Sequence, residues 1–138
     1  MSRLRHTTHH VPTTLPLLAV AAATLLSGCI TSAMPRLGDG QALTLSPGQR
    51  ARLDDGSTLH YVGIVEDSRC PPDVQCVWAG DAALALRWQA TGDVVRELRL
   101  HTNTGVGPDR ARLAARTVIL DTVGRAPADA RLRVEPSP

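Results

Sequence analysis

Lysine and phenylalanine are both absent from this 138-residue chain, and Tyr61, Trp78 and Trp88 are its only aromatic residues. A core built on large rings is thereby excluded, and Leu, Val, Ile and Ala must fill it instead. Every basic side chain is Arg, which reads as a genomic coding bias rather than as chemistry. A basic stripe is also missing. The arginines are scattered among acids, as in Arg96-Glu97-Leu98-Arg99, whereas displacing counterions from nucleic acid needs clustered positive charge. The formal charge of +2 comes from Arg3 and Arg5; from residue 29 onward 13 Arg face 13 Asp and Glu. No apolar run is long enough to cross a bilayer. Leu15–Leu26 offers 12 residues, where a spanning helix needs about 20.

A short apolar run behind positive charge is instead the pattern of a removed export signal. Residues 1–14 carry Arg3 and Arg5 and no acid, and the run that follows ends at Leu26-Ser27-Gly28-Cys29. These four residues resemble the lipobox of bacterial lipoproteins, in which small side chains precede a Cys that accepts a diacylglyceryl group before cleavage. The resemblance implies a signal peptide over 1–28, with Cys29 as the lipid-bearing first residue of the mature chain. An acyl anchor holds through about 0.8 kcal/mol per buried methylene. Ile30 stands where an Asp would imply retention in the inner membrane, so the outer membrane, facing the periplasm, is the expected address.

Removing the signal leaves 110 residues, enough for one domain, which buries about two-thirds of its unfolded surface. Three cysteines are an odd number for an exported protein, where thiols pair. With Cys29 taken by lipid, Cys70 and Cys76 remain to form a disulfide around Pro71-Pro72-Asp73-Val74-Gln75. Two rivals stand beside it. A redox pair is usually spaced Cys-x-x-Cys. A zinc site needs two further ligands, for which the mature chain has only His60 and His101.

Residues 29–40 lack periodicity and read as the lipidated N-terminus and a flexible tether. From 41 to 138 the pattern is short alternating runs between turn residues. Leu43 and Leu45 share one face, as do Ala51 and Leu53; Asp54-Asp55-Gly56 then marks a hairpin. Thr58–Glu66 is apolar on both faces and predicts a central strand. Leu84, Leu86 and Trp88 alternate with Arg87 and Gln89, and Leu98 and Leu100 alternate with Glu97 and Arg99. Thr117–Val123 and Arg131–Glu135 add two more strands, while Asp109–Arg116 favours a helical turn. About seven short strands without strand–helix alternation predict an all-β fold, an antiparallel β-sandwich or a partly open barrel.

The segment Asp67-Ser68-Arg69-Cys70-Pro71, continued by Cys76-Val77-Trp78-Ala79-Gly80, resembles a motif of small exported bacterial lipoproteins of unassigned function. It implies an oxidised loop and a fold family, and it carries no activity across. If the chain is extended from Cys76, Trp78 lies on the same side as that Cys and packs over the disulfide. Asp67 and Arg69 are placed to pair, or Asp67 to cap turn amides. The loop then either holds the sheets together or presents Arg69, Asp73, Gln75 and Trp78 to a partner.

Catalytic constellations are not legible. Ser68 lacks a Gly-x-Ser-x-Gly elbow, and Gly105-Val106-Gly107-Pro108 lacks the Lys of a phosphate loop. Asp54, Asp55 and Asp81 lack the spacing of a calcium loop. The expectation is no enzyme, no cofactor and no metal. Two readings remain: a membrane-anchored envelope lipoprotein with a binding or structural role towards an envelope protein, and an inhibitor or ligand-binding module that uses the Cys70–Cys76 loop.

Cys29→Ser is expected to leave an uncleaved precursor that incorporates no labelled palmitate, because the thiol is the lipid acceptor. Electrophoretic mobility and radiolabelling check this. Normal cleavage with lipid uptake in the variant refutes the lipobox reading.

Overall fold

The computed structural model describes residues 33–138. The signal peptide expected over 1–28 and the expected lipid acceptor Cys29 lie outside the described residues. Nine strands follow in chain order: β1 (Arg36–Leu37), β2 (Ala42–Leu45), β3 (Arg50–Leu53), β4 (Thr58–Asp67), β5 (Ala82–Gln89), β6 (Arg96–His101), β7 (Arg110–Leu113), β8 (Arg116–Val123) and β9 (Ala130–Pro136). They form a five-stranded sheet, β1-β3-β4-β5-β6, and a four-stranded sheet, β2-β9-β8-β7. The architecture is all-β and open, compatible with a sandwich and not closed into a barrel. No residue among those described is helical.

Two strands exceed the seven expected. Asp109–Arg116 is not a helical turn: Arg110–Leu113 pairs antiparallel with β8, and cross-strand pairing outweighs the helix preference of Ala and Arg. Residues 36 and 37 belong to the sheet and not to a tether. β1 runs parallel to β3, with Arg36 opposite Arg52 and Leu37 opposite Leu53. Leu37 is buried, so the folded unit starts before residue 41.

The alternation sorts side chains as a two-layer fold requires. Leu84, Leu86 and Trp88 of β5 face inward with Leu59 and Tyr61 of β4. Leu45, Val118, Leu120, Leu132 and Val134 meet them from the other sheet. Each fully buried Leu contributes about 1.5–3 kcal/mol of transfer free energy. β4 reads as apolar on both faces because it bulges twice against β5, between Tyr61 and Gly63 and between Ile64 and Glu66. Each bulge shifts which residues face inward. Gly63 holds a φ of 146°, open to glycine and strained for other residues.

Two buried aromatics anchor polar groups inside this aliphatic interior. The indole N–H of Trp88 donates to Ser57 Oγ at 3.0 Å, and the Tyr61 hydroxyl donates to the Ala128 carbonyl at 2.7 Å. The second bond ties β4 to the turn that feeds β9 in the opposite sheet. Tyr61→Phe should cost about 1 kcal/mol, since it leaves that carbonyl without its donor. Thermal unfolding should show a midpoint lower by about 4–8 °C. An unchanged midpoint would show that the phenol does not link the sheets.

Candidate functional site

The segment between β4 and β5 is an irregular loop, Arg69–Gly80, closed at its neck by Ser68 and Asp81. Ser68 N–H donates to the Asp81 carbonyl at 2.7 Å, and Asp81 N–H returns a bond to Ser68 Oγ at 3.1 Å. Gly80 crosses directly over Ser68. A Cβ at Gly80 would stand 1.9 Å from the Ser68 carbonyl oxygen, which explains why a residue without a side chain occupies this point. Cys70 and Cys76 are disulfide-bonded, with Cα atoms 5.9 Å apart.

Arg69 roots the loop. Its Nε and Nη2 donate to the two oxygens of Asp67 at 2.8 and 2.6 Å. Nη1 reaches the Val123 carbonyl at 2.9 Å, and Nη2 also reaches the Gly124 carbonyl at 3.1 Å. The guanidinium thus joins the end of β4 to the end of β8 in the opposite sheet, using the planar fork that suits Arg to several acceptors at once. The side-chain bond from Arg69 holds the Asp67 carboxyl down at about 2; burial opposes it, and the Arg69 backbone N–H assists. Arg125 adds a bond to the Cys70 carbonyl.

Beyond this root the loop is open to solvent. Pro71 to Ala79 are all exposed, Asp73 and Gln75 among them. Val77 is 91% and Trp78 83% exposed, and Val74 is more than half exposed. Trp78 therefore does not pack over the disulfide. The chain bends at Val77 and Trp78 instead of running extended, so the two-residue alternation that would align Cys76 with Trp78 is lost. The core tryptophan is Trp88. Arg69 stands apart from the other three candidate binding residues, because its head group is spent on the root while Asp73, Gln75 and Trp78 face outward.

A second constellation next to the neck escapes a reading of the sequence. Buried Asp81 takes His101 Nδ1 at 2.6 Å, Thr102 Oγ1 at 3.1 Å and Asn103 N–H at 2.9 Å. Burial pushes its carboxyl up, yet the bonds from His101, Asn103 and Thr102 leave it below the ordinary value. The hairpin holds the signal that could have found it: β5 and β6 pair Ala83 with His101, which brings the residue before β5 beside the end of β6. A Cβ at Gly107 would meet His101 Cδ2 at 2.2 Å, so the ring lies between Asp81 and the Gly107 backbone. No hydroxyl or thiol among the described residues bonds its Nε2. The dyad braces the loop through Asn103, whose side-chain amide donates to the Ala79 carbonyl at 3.1 Å.

The metal alternatives find their donors elsewhere engaged. Cys70 and Cys76 are bonded to each other. Asp55 accepts from Ser57 N–H and Arg116, and Asp54 from Asp39 N–H. Both lie at the β3–β4 hairpin, at the far end of β4 from Asp81.

Replacing both Cys70 and Cys76 by Ser should cost roughly 2 kcal/mol on the loop-entropy relation for so small a ring, lowering the melting midpoint by about 8–14 °C. The domain should stay folded, because its core does not include the loop. Thiol counting in denaturant without reductant checks the premise; two free thiols in the unreduced protein would refute it. The chain matches no protein-family model, no curated protein and no solved structure, so no residue role is inherited from a relative.

Proposed function

We propose that this chain is a lipid-anchored protein of the bacterial cell envelope. In this reading its β domain has a non-catalytic role, presenting the Cys70–Cys76 loop to an envelope protein. Acylation at Cys29 supplies the anchor, and Ile30 favours the outer membrane, with the domain in the periplasm. The observation that carries the binding role is the pairing of a rigid root with an apolar tip. Solvent-exposed Trp and Val on a mobile loop would need no explanation. Here a disulfide, two prolines, the Ser68–Asp81 neck and the Arg69 clamp hold them in place. Preorganisation of this kind lowers the entropy lost on association, and an exposed Trp is among the residues that most often dominate binding energy. An inhibitor, with the same proline-braced loop seated in the cleft of a secreted enzyme, is the second reading.

A photo-crosslinking amino acid at the exposed position 75, which leaves Trp78 in place, tests the proposal in cells. A discrete protein adduct is expected, lost in the Val77→Asp variant and in the double Cys→Ser variant. In the isolated complex, Trp78→Ala should weaken affinity by about thirtyfold or more, the effect of a 2 kcal/mol anchor. Adducts to lipid alone, or an adduct indifferent to Val77→Asp, overturn it. An adduct to an enzyme whose activity Trp78→Ala restores selects the inhibitor.

A further inference from the structure

We infer that the outward face of the five-stranded sheet, along β1, β3 and β4, lies against the anionic phosphate headgroups of the bilayer that holds the chain. The inference rests on the proposed lipid anchor for its geometry and on the sheet for its chemistry.

The scatter of arginines along the sequence conceals how the fold sorts them. Register places Arg36 opposite Arg52, Arg50 opposite His60, and His60 opposite Arg87. Arg36, Arg50 and Arg52 are exposed on the side away from the core, since Leu37, Ala51 and Leu53 point inward. Five arginines therefore share this face (Arg36, Arg50, Arg52, Arg87 and Arg99) with only two glutamates. Glu97 takes Arg87 and Glu66 takes Arg99, each at 3.1 Å. No acidic partner among the described residues serves Arg36, Arg50 or Arg52. On the four-stranded sheet, Arg110, Arg131 and Arg133 are matched by Asp109, Asp121 and Glu135, and Arg112 alone has no acidic partner among the described residues. Like charges directly opposite on adjacent strands destabilise a sheet, so the Arg36–Arg52 pair is a cost that an anionic surface would offset. Burial, with Arg50 and Arg87 as neighbours, lowers the pKa of His60, as a cationic environment should.

The chain length outside the described residues selects the occupant. Met34 lines an open depression of about 290 Å³ with Arg50, His60 and Arg87, and the Pro35 carbonyl accepts Arg52 N–H at 2.8 Å. The N-terminal segment thus enters the domain at the arginine cluster. From Cys29 to Ala33 there are four residue steps, a reach of at most about 14 Å. An acyl group at Cys29 therefore keeps this corner of the sheet beside the headgroups, where each arginine gains about 1 kcal/mol from an anionic surface, or roughly fivefold in partition. The two chains of a diacylglyceryl group already give stable attachment, so the basic patch sets how the domain lies on the bilayer.

The test uses the acylated mature protein in vesicles of phosphatidylethanolamine with or without phosphatidylglycerol. A nitroxide is placed on Thr58→Cys in the patch or on Ala115→Cys at the β7–β8 turn. The Thr58 label is expected to lose at least about half its collisions with an aqueous nickel chelate when phosphatidylglycerol is present, and to recover them at about 0.5 M salt, where screening is short-ranged. The Ala115 label should not change. Arg36→Gln, Arg50→Gln and Arg52→Gln together should abolish the shielding while leaving the acyl mass on Cys29 intact. An acylated protein whose Thr58 label ignores lipid charge, or whose Ala115 label is the one shielded, overturns the inference. A Cys29 without acyl mass overturns the anchor reading instead. The patch is then read by cosedimentation of the same chain, in which the triple variant should lose partition on the order of a hundredfold; equal sedimentation overturns the inference too.

Discussion

The guanidinium of Arg69 is the point on which this small sandwich turns. It sits where β4 leaves its sheet, and its donors meet Asp67 on one side and the carbonyls of Val123 and Gly124 on the other. Those carbonyls end β8 and need partners once its ladder stops. Supplying them from across the sandwich fixes the spacing of the two sheets at this end. The same contact sets where the loop begins. Without it, the neck at Ser68 and Asp81 would keep its own bonds but lose its position relative to the second sheet. The ion pair with Asp67, though partly exposed, is more than a surface salt bridge, because both partners also serve backbone groups.

Much of the architecture is legible in the sequence because a strand that is half in water must alternate. Leu84-Ala85-Leu86-Arg87-Trp88 announces its inner face residue by residue, and the inner face is as announced. The misses share a cause: they depend on where one strand lies against another. β1 is two residues long, too short to show a period, and exists only because Leu53 and Arg52 are beside it. β7 has the composition of a helix and the partner of a strand. The bulges of β4 are invisible in a run apolar on both sides.

The site was legible in part for the same reason. Disulfide, prolines and glycine mark the loop from composition alone, and Asp67 meets both readings open to it, since it pairs with the Arg69 side chain and accepts the Arg69 N–H. The direction of Trp78 does not, since it turns on a bend that no local pattern encodes. Asp81 and His101 are 20 positions apart and meet through hairpin register. The arginine face is the clearest case. A sequence with balanced charge from residue 29 onward folds into one sheet face with three unmatched arginines and another with one, because odd and even positions go to opposite sides.

The parallel pairing of β1 has a mechanical meaning. Tension on the residues before Ala33 enters the sandwich through a ladder only two residues long, plugged by one buried leucine. β1 is therefore the first element to yield. Its release frees the chain as far as Asp39, which the Arg116 guanidinium and the Asp54 carboxylate still hold. The residues Arg36 to Gly38 lengthen the leash by on the order of 10 Å before load reaches the second sheet. Whatever pulls on the N-terminal side meets a short sacrificial link, and the eighteen other buried hydrophobic residues behind it stay folded while the link gives way.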